Sequence, residues 1–357
     1  MATLVNQERV LQALRQVQDP ELHRDIVSLG MVKDVVVTGD RVALTIELTT
    51  PACPLKGQIE RDARTAVAQI PGVREVSINW GARVRSSPAL DASPLSGIKS
   101  VIAVGSGKGG VGKTTVSVNM AVALARDGAK VGLMDADVYG PNVPLMLGVK
   151  ELPPFQNQKL VPAQAHGVAV MSMGFLLRDD EPVIWRGPML HGVIQKFLQE
   201  VLWGELDYLI VDLPPGTGDV QLTLSQSIPL TGAVIVTTPQ DVALLDVRKA
   251  MAMFTKVRVP MIGIVENMST FVCPNCQAET PIFRRGGGRA AAEQMRVRFL
   301  GEVPLVPRVC EAGDQGTPIV VAEPDSAVAQ AFVQVARQVA GQVSVLSVEG
   351  QPQLAGL

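Results

Sequence analysis

The sequence predicts an α/β protein: a mainly parallel sheet covered by helices on both faces, preceded by a small α+β unit. Three observations carry this expectation. From Val101 onward, short runs of Val, Ile and Leu alternate with amphipathic segments, the pattern of strands buried on both faces beneath helices. A glycine-rich loop follows the first of those strands and opens the first of those helices. Ser86 to Gly97 (SSPALDASPLSG) is rich in Ser and Pro, lacks periodicity, and divides the alternating region from a different pattern before it.

Residues 1–85 hold that earlier pattern. Val10, Leu11, Leu14 and Val17 share one helical face, ending before Asp19-Pro20. Val32 to Val37 and Arg41 to Leu48 flank Thr38-Gly39-Asp40, a hairpin signal. A second helix fits Leu55 to Ile70 and stops at Pro71-Gly72; Val73 to Trp80 reads as a third strand. With residues 86–97 as linker, the large domain is expected over 98–345 and a weak tail over 346–357. Its strands are expected at Val101 to Gly105, Val131 to Asp135, Val168 to Met173, Tyr208 to Leu213, Ala233 to Thr238 and Met261 to Val265. Helices are expected at Lys113 to Arg126, Leu190 to Leu202, Val242 to Lys256, Ala290 to Arg298 and Ser326 to Gln342.

Composition narrows the function. Lys plus Arg total 32 against 34 Asp plus Glu, so bulk nucleic acid and anionic membrane are not expected partners. Four cysteines in 357 residues are too few for a disulfide scaffold. The first residues lack the pattern of a secretory signal, and no apolar run is long enough to span a bilayer. The expectation is a cytoplasmic protein with reduced thiols.

The strongest motif is Gly107-Lys108-Gly109-Gly110-Val111-Gly112-Lys113-Thr114-Thr115. Its first eight residues fit G-x-x-x-x-G-K-[ST], the P-loop. Glycines let successive backbone N–H groups turn toward phosphate oxygens, and the following helix adds its positive end. Lys113 is placed to reach the β- and γ-phosphates, and Thr114 to offer its hydroxyl to Mg²⁺. Leu209-Ile210-Val211-Asp212 ends an apolar strand in a carboxylate that can hold Mg²⁺ through a water, and Asp137 ends another strand where it can orient the attacking water.

Cys273-Pro-Asn-Cys276 spaces two thiolates for one metal. Alone it is half a site, because Cys53 and Cys310 are single and distant. Three readings stay open: two chains about a two-fold axis sharing an iron–sulfur cluster, the same chains sharing zinc, or cysteines that are redox-active or purely structural. Cys53 precedes a predicted helix, where thiolates are stabilised; it is either an accessory thiol for iron or a cluster, or a packed small hydrophobe. Cys310 reads as structural. His23, His166 and His191 have no ligand-like grouping.

KGGVGKTT resembles the deviant Walker-A motif of the MinD/ParA/nitrogenase-iron-protein class of ATPases. The resemblance implies that Lys108 reaches across a dimer to the partner's nucleotide and acts in catalysis with Lys113 and Asp137. From Val101 to about Pro318 the chain is similar to the Mrp/ApbC iron–sulfur cluster carrier ATPases. DADVYGPNVP (Asp135 to Pro144), WRGPM (Trp185 to Met189), DLPPGTGD (Asp212 to Asp219), VENMSTFVCPNC (Val265 to Cys276) and AGDQGTP (Ala312 to Pro318) carry it. The first unit resembles the small iron–sulfur-assembly domain fused to bacterial members, through Asp19-Pro20-Glu21, Asp25 to Gly30 and Thr49 to Pro54. These resemblances imply a homodimer that uses ATP and Mg²⁺. They imply a 4Fe–4S cluster held by Cys273 and Cys276 of two protomers, and transfer between an assembly scaffold and apoproteins. They also imply adenine recognition by Asn267. Gln277, where a glycine commonly follows the second cysteine, and the pair Arg284-Arg285 depart from the family pattern. Two alternatives are a MinD- or ParA-like positioning ATPase and a zinc-bridged dimeric ATPase. The first is disfavoured because residues 342–357 contain no Lys or Arg.

Overall fold

The computed structural model describes residues 5–90, 95, 97–152, 155–156, 158–176 and 187–349. Trp185 and Arg186 of the WRGPM segment, and residues 350–357 of the expected tail, lie outside the described residues.

In the N-terminal unit, helices α1 (Gln7–Leu14) and α2 (Lys56–Ala68) cover a sheet of β1 (Val32–Thr38), β2 (Arg41–Leu48) and β3 (Glu75–Ala82). β2 is the central strand, antiparallel to β1 and parallel to β3. Its alternation places Val42, Leu44, Ile46 and Leu48 in the core, against Val10 and Leu14 of α1 and Ile59, Ala63 and Val67 of α2.

In the larger unit the strands are β4 (Val101–Gly105), β5 (Val131–Asp135), β6 (Ala163–Ala165), β7 (Val168–Ser172), β8 (Tyr208–Asp212), β9 (Gly232–Thr237), β10 (Met261–Val272), β11 (Glu279–Thr280) and β12 (Phe299–Leu305). They lie in the order β11-β10-β9-β4-β8-β5-β7-β6, with β12 also on β10. The central strands pair in parallel, and short antiparallel β6 and β11 flank them. Every residue of β4, β5 and β8 is buried, as aliphatic runs between two helical layers require. One core lies between the sheet and α3 (Lys113–Arg126) with the last helix, α9 (Ala327–Glu349). The other lies beneath α4 (Gly187–Gln199), α5 (Asp219–Ser227) and α6 (Asp241–Lys256). α7 (Gly287–Gln294) packs beside β10 and β12, and α8 (Pro307–Asp314) follows β12.

Four expectations are corrected. The helix expected over Ala290 to Arg298 ends at Gln294, and a strand, β12, follows it. The strand expected to stop at Val265 runs to Val272, because β11 and β12 pair with its far half. The last helix passes Gln342 and continues to Glu349: Val343 and Leu346 are buried in the large core, while Val345 and Val348 pack on the N-terminal core. The expected linker is partly docked, since Leu90 and Leu95 bury in the second core and the Ser87 N–H donates to the Lys99 carbonyl.

Candidate functional site

The phosphate loop leaves β4 at the carboxyl edge of the sheet and enters α3. Glycine is required at both ends of it. A β-carbon on Gly107 would stand 2.4 Å from the Asp246 carbonyl carbon, and one on Gly112 would stand 2.2 Å from Asn267 Nδ2. Gly112 also holds φ at 79° as the N-cap of α3.

Asp212 terminates β8 with no exposure, and three donors converge on its carboxylate. Lys113 Nζ and Thr114 Oγ1 each lie 2.7 Å from Oδ2, and Ser117 Oγ lies 2.7 Å from Oδ1. Asp137 Oδ2 stands 3.4 Å from Lys113 Nζ. Asp135, at the end of the neighbouring strand, accepts from Ser172 Oγ and from the N–H groups of Asp137 and Val143, which fixes the turn that aims Asp137 at Lys113. Burial works against the Lys113 charge, but the Asp212 and Asp137 carboxylates hold the ammonium above its ordinary value. Burial and the Asp212 charge push the Asp135 carboxyl up to about 7. Burial raises Asp137 as well, against the pull of Lys113.

Three carboxyls therefore face one ammonium. The neighbouring Thr114 hydroxyl and Asp212 carboxylate are hard oxygen donors in a site with excess negative charge. That donor set fits Mg²⁺.

A cavity of about 780 Å³ opens in front of this cluster, walled by the phosphate loop, Asp137, Asn267, Val306, Asp314 and Phe332. Asn267 is 5% exposed on β10 and donates through Nδ2 to the Val111 carbonyl at 2.9 Å. Within its own chain the Lys108 Nζ lies 3.5 Å from Gln240 Oε1. Cys310, read from sequence as structural, is instead exposed, lines this cavity, and lies 3.8 Å from Asp314 Oδ2. An isolated cysteine gave no sign of that.

The cysteine pair follows directly on β10. The Gln277 N–H donates to the Cys273 carbonyl at 2.9 Å, and the Cys273 N–H to Ala278 at 3.0 Å, which closes a turn around Pro274 and Asn275. Cys273 is half-buried and Cys276 exposed. The Cys276 and Asn275 N–H groups, with the Cys276 thiol, hold the Cys273 thiol below its ordinary value. Among the described residues, no group of three or more His, Cys, Asp or Glu side chains is arranged to hold a metal; the turn brings two thiols of one chain together.

Gln277 takes φ of 59°, a left-handed conformation that glycine adopts at less cost, and nothing in the structure explains glutamine there. Arg284 and Arg285 are held by ion pairs to Asp241 and Glu302. Glu266 was not anticipated from sequence. Fully buried beside Asn267, it accepts from the Gly286 and Gly288 N–H groups at 2.8 and 2.6 Å and ties the segment after the cysteines to β10. An acid inside an aliphatic strand was the available signal.

Cys53 lies apart from both sites. It precedes α2 as expected, yet burial, then the nearby Glu21 and Asp19 carboxylates, raise its thiol to about 11. The expectation of a stabilised thiolate is corrected: desolvation outweighs the N–H groups of Leu55 and Lys56. His166 and His191 are satisfied polar residues, bonded to the Gly316 carbonyl and to Ser227 Oγ.

A P-loop at the carboxyl edge of a parallel sheet, with a second lysine inside the loop and carboxylates on two neighbouring strands, defines a deviant-Walker P-loop NTPase. Residues 97–340 match the family model of ParA, the NUBPL iron-transfer P-loop NTPases, and residues 7–80 match that of iron–sulfur cluster assembly proteins. Iron–sulfur cluster carrier proteins are similar along nearly the whole chain. That of Deinococcus radiodurans is 54% identical over 97% of this chain and 98% of its own, and that of Escherichia coli K12 is 42% identical over 92% and 90%. The chain belongs to the iron–sulfur cluster carrier family of P-loop NTPases. Among solved structures, a nucleotide-binding protein of Archaeoglobus fulgidus in complex with ADP is 40% identical over 65% of this chain and 91% of that one, with a TM-score of 0.58. The Pyrococcus furiosus cell division ATPase MinD is 28% identical over 67% and 98%, with a TM-score of 0.52.

Proposed function

We propose that this protein is a slow, Mg²⁺-dependent ATP hydrolase of the cytoplasm that works as a homodimer. In this reading it carries a 4Fe–4S cluster from an assembly scaffold to apoproteins. The observation that carries the reading is the position of β10. This strand bears Asn267 against the phosphate loop and, six residues on, Cys273 at the start of the thiol turn.

In the hydrolytic half, backbone N–H groups of Gly107 to Thr115 surround the phosphates and Lys113 neutralises the β- and γ-oxygens. Thr114 and Asp212 would hold Mg²⁺, and the ion would supply charge neutralisation on the phosphates. Asp137, restrained by the Asp135 turn, orients the attacking water. Lys108 serves the partner protomer's nucleotide, so turnover requires dimerisation. No helix among the described residues is long and apolar enough to cross a membrane.

In the carrier half, two turns about a two-fold axis supply four thiolates. The N–H groups of Cys276 and Asn275 lower the cost of forming the Cys273 thiolate, and the Cys276 sulfur is exposed to cargo. The units over 1–85 and 98–345 act as an assembly-type domain and an ATPase.

Anaerobic reconstitution with iron and sulfide tests this. About four iron per two chains are expected, lost in Cys273→Ala and in Cys276→Ala and retained in Cys310→Ala. Tightly bound zinc with no iron uptake would replace the carrier reading with a zinc-bridged dimeric ATPase.

A further inference from the structure

The helices beside the nucleotide cavity also reach the opposite end of the ATPase. α3 starts with Lys113 in the phosphate loop and ends at Arg126; just beyond it, a β-carbon on Gly128 would stand 4.0 Å from Pro51 Cβ of the N-terminal unit. α9 places Phe332 in the cavity wall and, thirteen residues later, Val345 on the N-terminal core. That is about 20 Å of helix. Arg337 clamps the two helices together through Asp127, with nitrogen–oxygen distances of 2.7 and 2.9 Å.

The segments that meet this end of the ATPase are the loop Thr49 to Pro54 and, on α9, Glu21. Tyr208, the first residue of β8, donates its hydroxyl to Thr50 Oγ1 at 2.8 Å, and both residues are buried. Ala52 is 1% exposed and belongs to the ATPase core. A β-carbon on Gly341 would lie 2.3 Å from Glu21 Oε1, so the Glu21 carboxyl rests on bare α9 backbone. Cys53, in the same loop, is half-buried and packs on the core of its own unit beside these contacts.

We propose that the N-terminal unit docks on the rear of the ATPase in a closed state that occludes the Cys53 thiol, and that α3 and α9 make its release depend on the nucleotide. The N-terminal unit thus meets the far parts of two helices, Pro51 beside Gly128 just beyond α3 and Glu21 on Gly341 of α9, and the near parts of both helices line the nucleotide cavity. A nucleotide that favours one placement of those helices changes the docking equilibrium, and by reciprocity docking changes nucleotide affinity. Cys53 is then withheld from metals and electrophiles until the unit lifts.

The test needs no cluster, so it fails or succeeds independently of the carrier reading. In the full chain with Cys273, Cys276 and Cys310 replaced by Ser, Cys53 is the sole thiol, and its alkylation by a maleimide is followed by mass. Native labelling is expected to be slower than labelling in urea by about 100-fold or more, the protection of a closed local structure. Val345→Glu places a charge in the docking surface and should speed labelling about tenfold or more, with helix content retained by circular dichroism. Tyr208→Phe removes only the hydroxyl that holds Thr50 and should speed it about threefold, the range of one hydrogen bond. Saturating Mg²⁺–ATP or Mg²⁺–ADP should change the native rate, and Lys113→Ala, which weakens nucleotide binding, should remove that response. Three results would each overturn the proposal: a native rate equal to that in urea, a rate insensitive to both docking variants, or a rate unmoved by nucleotide that binding assays show to be present.

Discussion

Replacing Asp212 by Asn should destabilise the nucleotide-free protein more at pH 5 than at pH 8. The Asp212 carboxylate takes three hydrogen bonds at 2.7 Å, one of them from the buried Lys113 ammonium. Losing a buried charged partner costs about 3–5 kcal/mol; Asp137, 3.4 Å from Nζ, remains to offset part of this, so about 2–3 kcal/mol is expected at pH 5. The second effect has the opposite sign. Burial and Asp212 carry the Asp135 carboxyl from 3.8 to about 7. A carboxyl with a raised folded-state pKa binds more protons folded than unfolded, so its contribution is fully present below about 4 and is lost as pH rises through about 7. With about 1.4 kcal/mol per tenfold change, the ionised cluster is penalised by on the order of 4 kcal/mol at pH 8. Asp212→Asn removes part of that penalty along with the Asp212 charge. Urea denaturation of wild type and variant at pH 5, 6, 7 and 8, without Mg²⁺ or nucleotide, measures the difference. A gap that stays constant or widens with pH would refute the argument that Asp135 and Asp212 compete for one compensating cation.

Lys113→Ala should abolish ATP turnover and weaken nucleotide binding, whereas Lys108→Ala should retain most of the binding and lose turnover; a Lys108→Ala enzyme with normal kcat would remove the role in trans. Asn267→Ala frees the Val111 carbonyl and should narrow the preference for ATP over GTP, measured by competition against a fluorescent ATP analogue; equal competition by GTP in wild type would dismiss Asn267 as the adenine reader. Glu266→Gln turns an amide donor toward the Gly286 and Gly288 N–H groups and should cost about 1–3 kcal/mol in urea denaturation; an unchanged midpoint would show that the segment after the cysteines is held elsewhere.

The parallel sheet and the phosphate site were legible because their signals are local. Val101 to Gly105 runs into a glycine pattern that accepts few other residues; Asp212 is marked by the apolar strand it ends, and Asp137 by the strand ending two residues before it at Asp135. What sequence reading missed depends on contacts between distant segments. β12 lies only in an alternation with Gly301 and Pro304, and its pairing with β10 makes it a strand. The length of α9 depends on Val345 and Val348 meeting the other unit. For Cys53, the helix to follow suggested a stabilised thiolate, but burial set the opposite direction. Cys310 acquired its place in the cavity from the packing of α8 beside the phosphate loop, which no spacing rule encodes.

The pair of thiols in one turn, with no further ligands grouped beside it among the described residues, has a consequence in mass action. On the shared-cluster reading, a single chain holds half a coordination sphere, and retention of cargo rises with the square of protein concentration. Dilution alone then loosens the cluster. Any event that separates the protomers acts as an unloading step without touching a sulfur. The fraction loaded would therefore report how crowded the carrier is as well as how much iron and sulfide surrounds it.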